Sequence, residues 1–144
     1  MLADDVIQRL KEMVPALSNR VEGVASLVQL MQQNLLPQHT PAARVMASGI
    51  RGGQPDAAAG LFRQAIDRTV SIYLVYRNVQ GDGGNQIDGF DTDLEGVIAA
   101  ICGWAPGDQV GVFRLVNGGV QSMAAGTLVY QIDFAIGDQL RIAS

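Results

Sequence analysis

The 144-residue chain has one cysteine, one histidine and one tryptophan, and the first two scarcities each remove a class of function. A lone thiol, Cys102, forms no intrachain disulfide framework and no multi-thiolate metal site. A lone imidazole, His39, excludes sites built from two or more histidines. No run of like charge is longer than Asp4-Asp5, so there is no polybasic membrane anchor. No apolar run reaches the length of a membrane-crossing helix. Ten Lys and Arg against fourteen Asp and Glu give a net charge of −4, which disfavours binding along a phosphate backbone. The first residues carry acids and no basic stretch ahead of an apolar one, so no secretory signal is expected, and a reducing, soluble compartment is the simplest setting.

What the chain does have is apolar content. At 48% hydrophobic and 17% charged residues it is rich enough to bury a core, and its length fits one domain over residues 1–144.

The periodicity changes along the chain. Leu2, Val6, Leu10, Met13, Val14 and Leu17 recur at helical spacing, with Asp4 and Asp5 at the positive end and Pro15 breaking the ladder. A short extended piece follows at Arg20–Gly23, then a second short helix marked by Val24, Leu27, Val28, Leu30 and Met31. LLPQHTP reads as a connector. Ala42–Ile50 reads as a strand. Arg51–Gly60 (RGGQPDAAAG), rich in glycine, proline and alanine, reads as a mobile loop.

Phe62–Arg77 alternates, with Phe62, Gln64, Ile66, Arg68, Val70, Ile72, Leu74 and Tyr76 on one side of an extended chain. Its first half also fits a helix, but the β-rich Val70–Tyr76 favours one long strand. Gly81–Gly84 reads as a break. Ile87, Phe90, Leu94, Val97, Ile98 and Ile101 then form a helical stripe ending at Gly103. Three strands are expected after it, at Val110–Val116, Val120–Met123 and Leu128–Ile136, the first two joined by a hairpin turn at Asn117-Gly118. The fold class is therefore α+β: a mainly antiparallel or mixed sheet with two to three helices on one face.

Three groups could carry chemistry. Cys102 sits beside buried-stripe residue Ile101 with no base or cation near it in sequence, so it reads as an inert packing thiol, and Trp104 as a plug between helix and sheet. Ala105-Pro106-Gly107-Asp108 has the residues of a type II turn. Asp82, Asp88, Asp91, Asp93 and Glu95 invite calcium, but they lack EF-hand spacing and read better as an acid-rich loop and first helical turn. Arg63, Asp67, Arg68 and Arg77 punctuate the long strand, either as a solvated face or edge protection or as intersubunit ion pairs. No catalytic residue, metal ligand or cofactor site is expected.

Taken in order, VIQRLKEMVPALSNRVEG, LPQHTPAARVMASGIRGG, FRQAIDRTVSIYLVYR, CGWAPGDQVGVFRL and GTLVYQIDFAIGDQLRI resemble the tail terminator proteins of long-tailed bacteriophages. The resemblance implies a non-enzymatic structural virion protein that forms a ring, expected to be hexameric. The ring caps the head-proximal end of the tail tube, ends its polymerisation and joins the head–neck connector. Implied partners are further copies of itself, the tail tube protein and the connector or stopper protein, with genomic DNA passing through the lumen unread. The expected interface residues are Arg51, Asp56, Arg63, Asp67, Arg68 and Arg77, with Arg51–Gly60 as the docking element. The alternatives are another ring protein of the neck or tube, or an unrelated small binding module or enzyme.

Overall fold

The computed structural model describes residues 2–25, 39–58, 60–77, 89–107, 111–124 and 126–143. Helix α1 (Leu2–Met13) leads through a 3-10 turn (Pro15–Leu17) to β1 (Val21–Gly23), β2 (Ala42–Ala58) and β3 (Leu61–Tyr76). Helix α2 (Phe90–Ile101), β4 (Arg114–Ala124) and β5 (Thr127–Ala143) complete the order. The five strands make one sheet in the order β1-β2-β3-β5-β4, in which only β1 and β2 are parallel. An α+β fold with a mostly antiparallel sheet is thus what the chain adopts.

The helices form where the apolar stripes lie. α1 buries Val6 and Leu10, and Val14 and Leu17 extend the same buried surface past its end. Pro15 opens the 3-10 turn, where its missing N–H costs nothing. α2 has no basic residue in its last turn. Arg9 of α1 supplies the cation instead: its Nε donates to the Ala100 carbonyl at 2.9 Å and its guanidinium lies 5.0 Å from the Trp104 ring centre. Trp104 in turn stacks on Phe113 at 5.9 Å, so it does close the gap between helix end and sheet. Gly103, at φ +80°, takes the left-handed position that ends α2.

The core lies between the helices and one side of the sheet. Val45, Val70, Ile72, Leu74, Tyr76, Ile132 and Phe134 meet Val6, Leu10, Val97 and Ile101 there. Phe90 packs edge-on to Tyr76 and Tyr130, at 5.4 and 5.1 Å. On the other side Tyr73, Val75 and Val129 are also buried, with Val24 and Met46 against them. Both sides of β3 are therefore covered from Val70 to Tyr76, which is why that stretch is a nearly unbroken apolar run.

Three expectations need correction. Arg51–Ala58 is not a loop but the second half of β2, paired with β3 as far as Ala58↔Leu61. Its composition misleads because a hairpin arm needs only backbone pairing, and Pro55 sits on the unpaired outer edge at a register shift. Asn117-Gly118 is not a hairpin turn but lies inside β4, just past another register shift. The β4–β5 turn falls at residues 124–127 instead, where Gly126 has φ +74°. One long strand from Arg114 thus replaces the two expected at Val110–Val116 and Val120–Met123. The expected helix over Val24–Met31 and the break at Gly81–Gly84 fall outside the described residues, apart from Val24 and Ala25.

Candidate assembly interface

β2, β3 and β5 are much longer than the helices that cover them. Beyond Val70 they continue as a three-stranded arm made of residues 47–58, 61–69 and 135–143. At about 3.3 Å per residue the arm extends roughly 30 Å. Every β2 residue from Ala47 to Ala57 is exposed, as are Gln139 and Arg141–Ala143 of β5. The arm is anchored at its base by buried Ile66 and Ile136. There Gly111 approaches so closely that a Cβ on it would lie 3.0 Å from the Gly137 carbonyl oxygen.

The side of the arm facing away from the helices is charged. Asp56 is opposite Arg63, which is opposite Arg141, so three charged residues form a row across β2, β3 and β5. A second row joins Arg51 to Asp67. Arg114, on β4, reaches across β5 to Asp67 with Nη2 3.0 Å from Oδ2. It can do so because β5 carries only Ala135 and Gly137 in the gap.

Further toward the body this side becomes a part-buried polar cluster around the buried Ser71. The Ser71 hydroxyl donates to Asp133 Oδ1 at 2.5 Å and lies 2.7 Å from Ser48 Oγ, and Gln131 Nε2 donates to the same carboxylate oxygen at 2.8 Å. Burial pushes the Tyr73 phenol above its ordinary 10.0, and the Asp133 charge adds to this while the Ser71 hydrogen bond opposes it.

The six candidate interface residues do not form one site. Arg51, Asp56, Arg63 and Asp67 share the charged side of the arm. Arg68 faces the helix side and pairs with Asp138 at 3.8 Å. Arg77 lies past the other end of β3, where its N–H donates to Thr40 Oγ1. β3 is the central strand of the sheet, so its charges do not protect an edge. Sequence reasoning missed Arg114 and Arg141, whose significance depends on cross-strand register rather than local spacing.

Nothing here assembles a catalytic constellation among the described residues. Ser71 has a carboxylate partner, but at 1% exposure it is closed to a substrate and no imidazole or amine contacts it. No group of three or more potential metal ligands is present among the described residues. Of the acidic run, Asp82 and Asp88 fall outside them. Asp93 accepts a 2.6 Å hydrogen bond from the Tyr76 hydroxyl, which together with burial pushes that phenol strongly upward. Cys102 is half-buried and packed against the main core.

The apolar exposure is concentrated as well. Eight large apolar side chains are exposed among the described residues, and five of them lie in or just before β4: Val112, Leu115, Val116, Val120 and Met123. Ile50 and Ile142 are on the arm. From Leu115 to Ile132 the sequence holds no charged residue. A long edge strand without charges is a template for pairing with another chain.

Residues 2–144 match the family described as phage tail terminator protein. The chain belongs to that family. It is a family of structural phage proteins rather than enzymes, and this member is accordingly a phage tail structural protein. Among solved structures, a chain of the "Virion of native gene transfer agent (GTA) particle" superimposes with a TM-score of 0.57 at 12% identity, covering 96% of this chain and 95% of that one. At that identity the likeness is one of fold. No curated protein matches the sequence.

Proposed function

We propose that the protein assembles into a closed ring, of six copies, at the head-proximal end of the tail tube. The ring ends tube polymerisation and offers the head–neck connector its seat, which places the protein in the virion. The observation that carries this reading is a tail terminator chain with two long strand edges that no described strand covers, flanked by exposed apolar side chains. A lone subunit leaves these edges in water; head-to-tail contacts between copies cover them and can close on themselves. The charged rows of the arm, with Arg51, Asp56, Arg63 and Asp67, face neighbouring copies or the last tube ring, while Arg68 on the helix side and Arg77 at the other end of β3 meet separate contacts. The docking role expected of Arg51–Gly60 thus passes to a strand edge. A net charge of −4 suits a lumen through which DNA slides without being held.

The test is to add the purified protein to polymerising tube protein and to measure tube length and the mass of the protein alone. A terminator yields closed rings and tubes that stop growing. Long cylinders made of this chain by itself would mark it as tube protein instead.

A further inference from the structure

The two free edges of the sheet have closely similar irregular spacing. β4 has register shifts between Leu115 and Asn117 and between Val120 and Ser122, five positions apart. β2 has register shifts between Ala47 and Gly49 and between Gly52 and Pro55, five to six positions apart. Each shift inserts one extra residue on the edge strand, which swaps the faces of everything beyond it. An edge bulged in this way pairs cleanly only with an edge whose bulges fall at matching places.

We propose that the outer edge of β4 in one copy pairs with the outer edge of β2 in the next, antiparallel, with Arg114 opposite Asp56 and Val120 opposite Ile50. The direction follows from the topology: β2, β3, β5 and β4 alternate, so β4 is antiparallel to β2 and a following copy continues the alternation. The register follows from three features. It sets the unpaired Val116 against Gln54 in the second irregularity of β2, and brings the unpaired Gln121 within one residue of the unpaired Ser48. It keeps every paired residue on its own face: Leu115 and Val120 lie on the helix side of the sheet, as do Pro55 and Ile50, while Arg114 and Asp56 lie on the other. It also sets the sole charge of β4 against the sole acid of β2, and Arg114 retains 55% side-chain exposure despite its contact with Asp67. Val120 and Ile50, 59% and 60% exposed in the subunit, cover one another.

The pairing also staggers the copies. Arg114 is level with Gly49 of its own β2, through Ala135 and Thr69. Setting it against Asp56 moves the neighbour from the level of Thr69 to that of Arg63, about 20 Å along the strand. A stagger of this sort is what a sheet requires to close around an axis.

The pairing rests on the ring reading, and its test separates the two. In a Cys102→Ser background, Val120→Cys and Ile50→Cys are combined in one chain and oxidised. Cross-strand partners lie about 5 Å apart, within disulfide reach, whereas the two positions in one chain sit on opposite edges of the sheet. The expected result is a covalent ladder from dimer to closed ring. Neither single variant, nor Val120→Cys with Ala57→Cys, should give products beyond dimer. If rings form by mass but the ladder is absent, or equally strong with Ala57→Cys, the pairing is wrong and the ring stands. If the chain stays monomeric even when bound to tubes, both fall. Disulfides from the thiol of Val120→Cys to an added cysteine on the tube protein, in place of the ladder, would overturn the pairing in favour of a tube contact.

Discussion

The body and the arm are made from the same three strands but are held in different ways. In the body, β3 from Val70 to Tyr76 is buried on both sides, against helices on one and against Val24, Met46 and Val129 on the other. In the arm, the same strand is buried only near its base, at Ile66, and β2 is exposed from Ala47 to Ala57. The difference teaches where each kind of residue is needed. The body requires specific shapes and tolerates few changes. The arm requires only a paired backbone, so its composition is free to serve contacts outside the subunit.

The comparison breaks most visibly through matched truncations. Ile72→Ala, at a fully buried position, should destabilise the subunit by about 2–5 kcal/mol and lower Tm by roughly 10 °C. Ile50→Ala on the arm should stay within about 0.5 kcal/mol of the parent yet weaken ring formation. Thermal unfolding paired with native mass measurement reads both; equal Tm losses would erase the distinction.

A smaller effect comes from Tyr76. Its hydroxyl holds Asp93 at 2.6 Å, so Tyr76→Phe should cost about 1–2 kcal/mol at neutral pH. The folded protein keeps this phenol neutral, above its ordinary pKa of 10.0, chiefly through burial. Its contribution is therefore complete below pH 10 and lost as the unfolded chain ionises above that value. The parent should lose stability above pH 10 more steeply than Tyr76→Phe in parallel denaturant titrations. Identical slopes would mean that the phenol is not held neutral.

These contrasts also show what was legible in the sequence. Helix stripes such as Leu2–Leu17 and Phe90–Ile101 announce themselves, because one buried face leaves a 3.6-residue period. β3 was legible through the β-branched and aromatic residues of Val70–Tyr76, a stretch buried on both sides. The arm was not. Arg51–Ala57 has no buried face, so its sequence carries no burial period and its glycines and proline read as a loop. Asn117-Gly118 misled because the motif reports local turn preference, while a cross-strand bulge satisfies the same residues. The candidate interface was read in part, from Arg51 to Asp67. Arg114 and Arg141 join it only through pairing between strands distant in sequence.

Arg114→Ala sharpens the comparison at lower amplitude. The ion pair with Asp67 is exposed, so its loss should change subunit stability by no more than about 1 kcal/mol. Ring formation should weaken further than that, and the difference should shrink as salt rises. A salt-independent loss would point to packing instead. The smallest effects belong to the chemical candidates. Cys102→Ala should leave assembly intact with a modest packing loss, and a chelator should leave Tm unchanged. A clear chelator-induced fall would restore the acidic run at Asp82–Glu95 as a cation site.

The division between a body that folds and a pair of edges that assemble is tested most directly by hydrogen exchange on the free subunit and on the assembled ring. The body, β3 from Val70 to Tyr76 and β5 from Leu128 to Ile136, should be protected equally in both. The amides on the outer edges of β2, between Ala47 and Ala58, and of β4, between Arg114 and Ala124, should exchange quickly in the free subunit and slow by about tenfold or more in the ring. Unchanged exchange at both edges, with new protection appearing on the helices instead, would contradict the account.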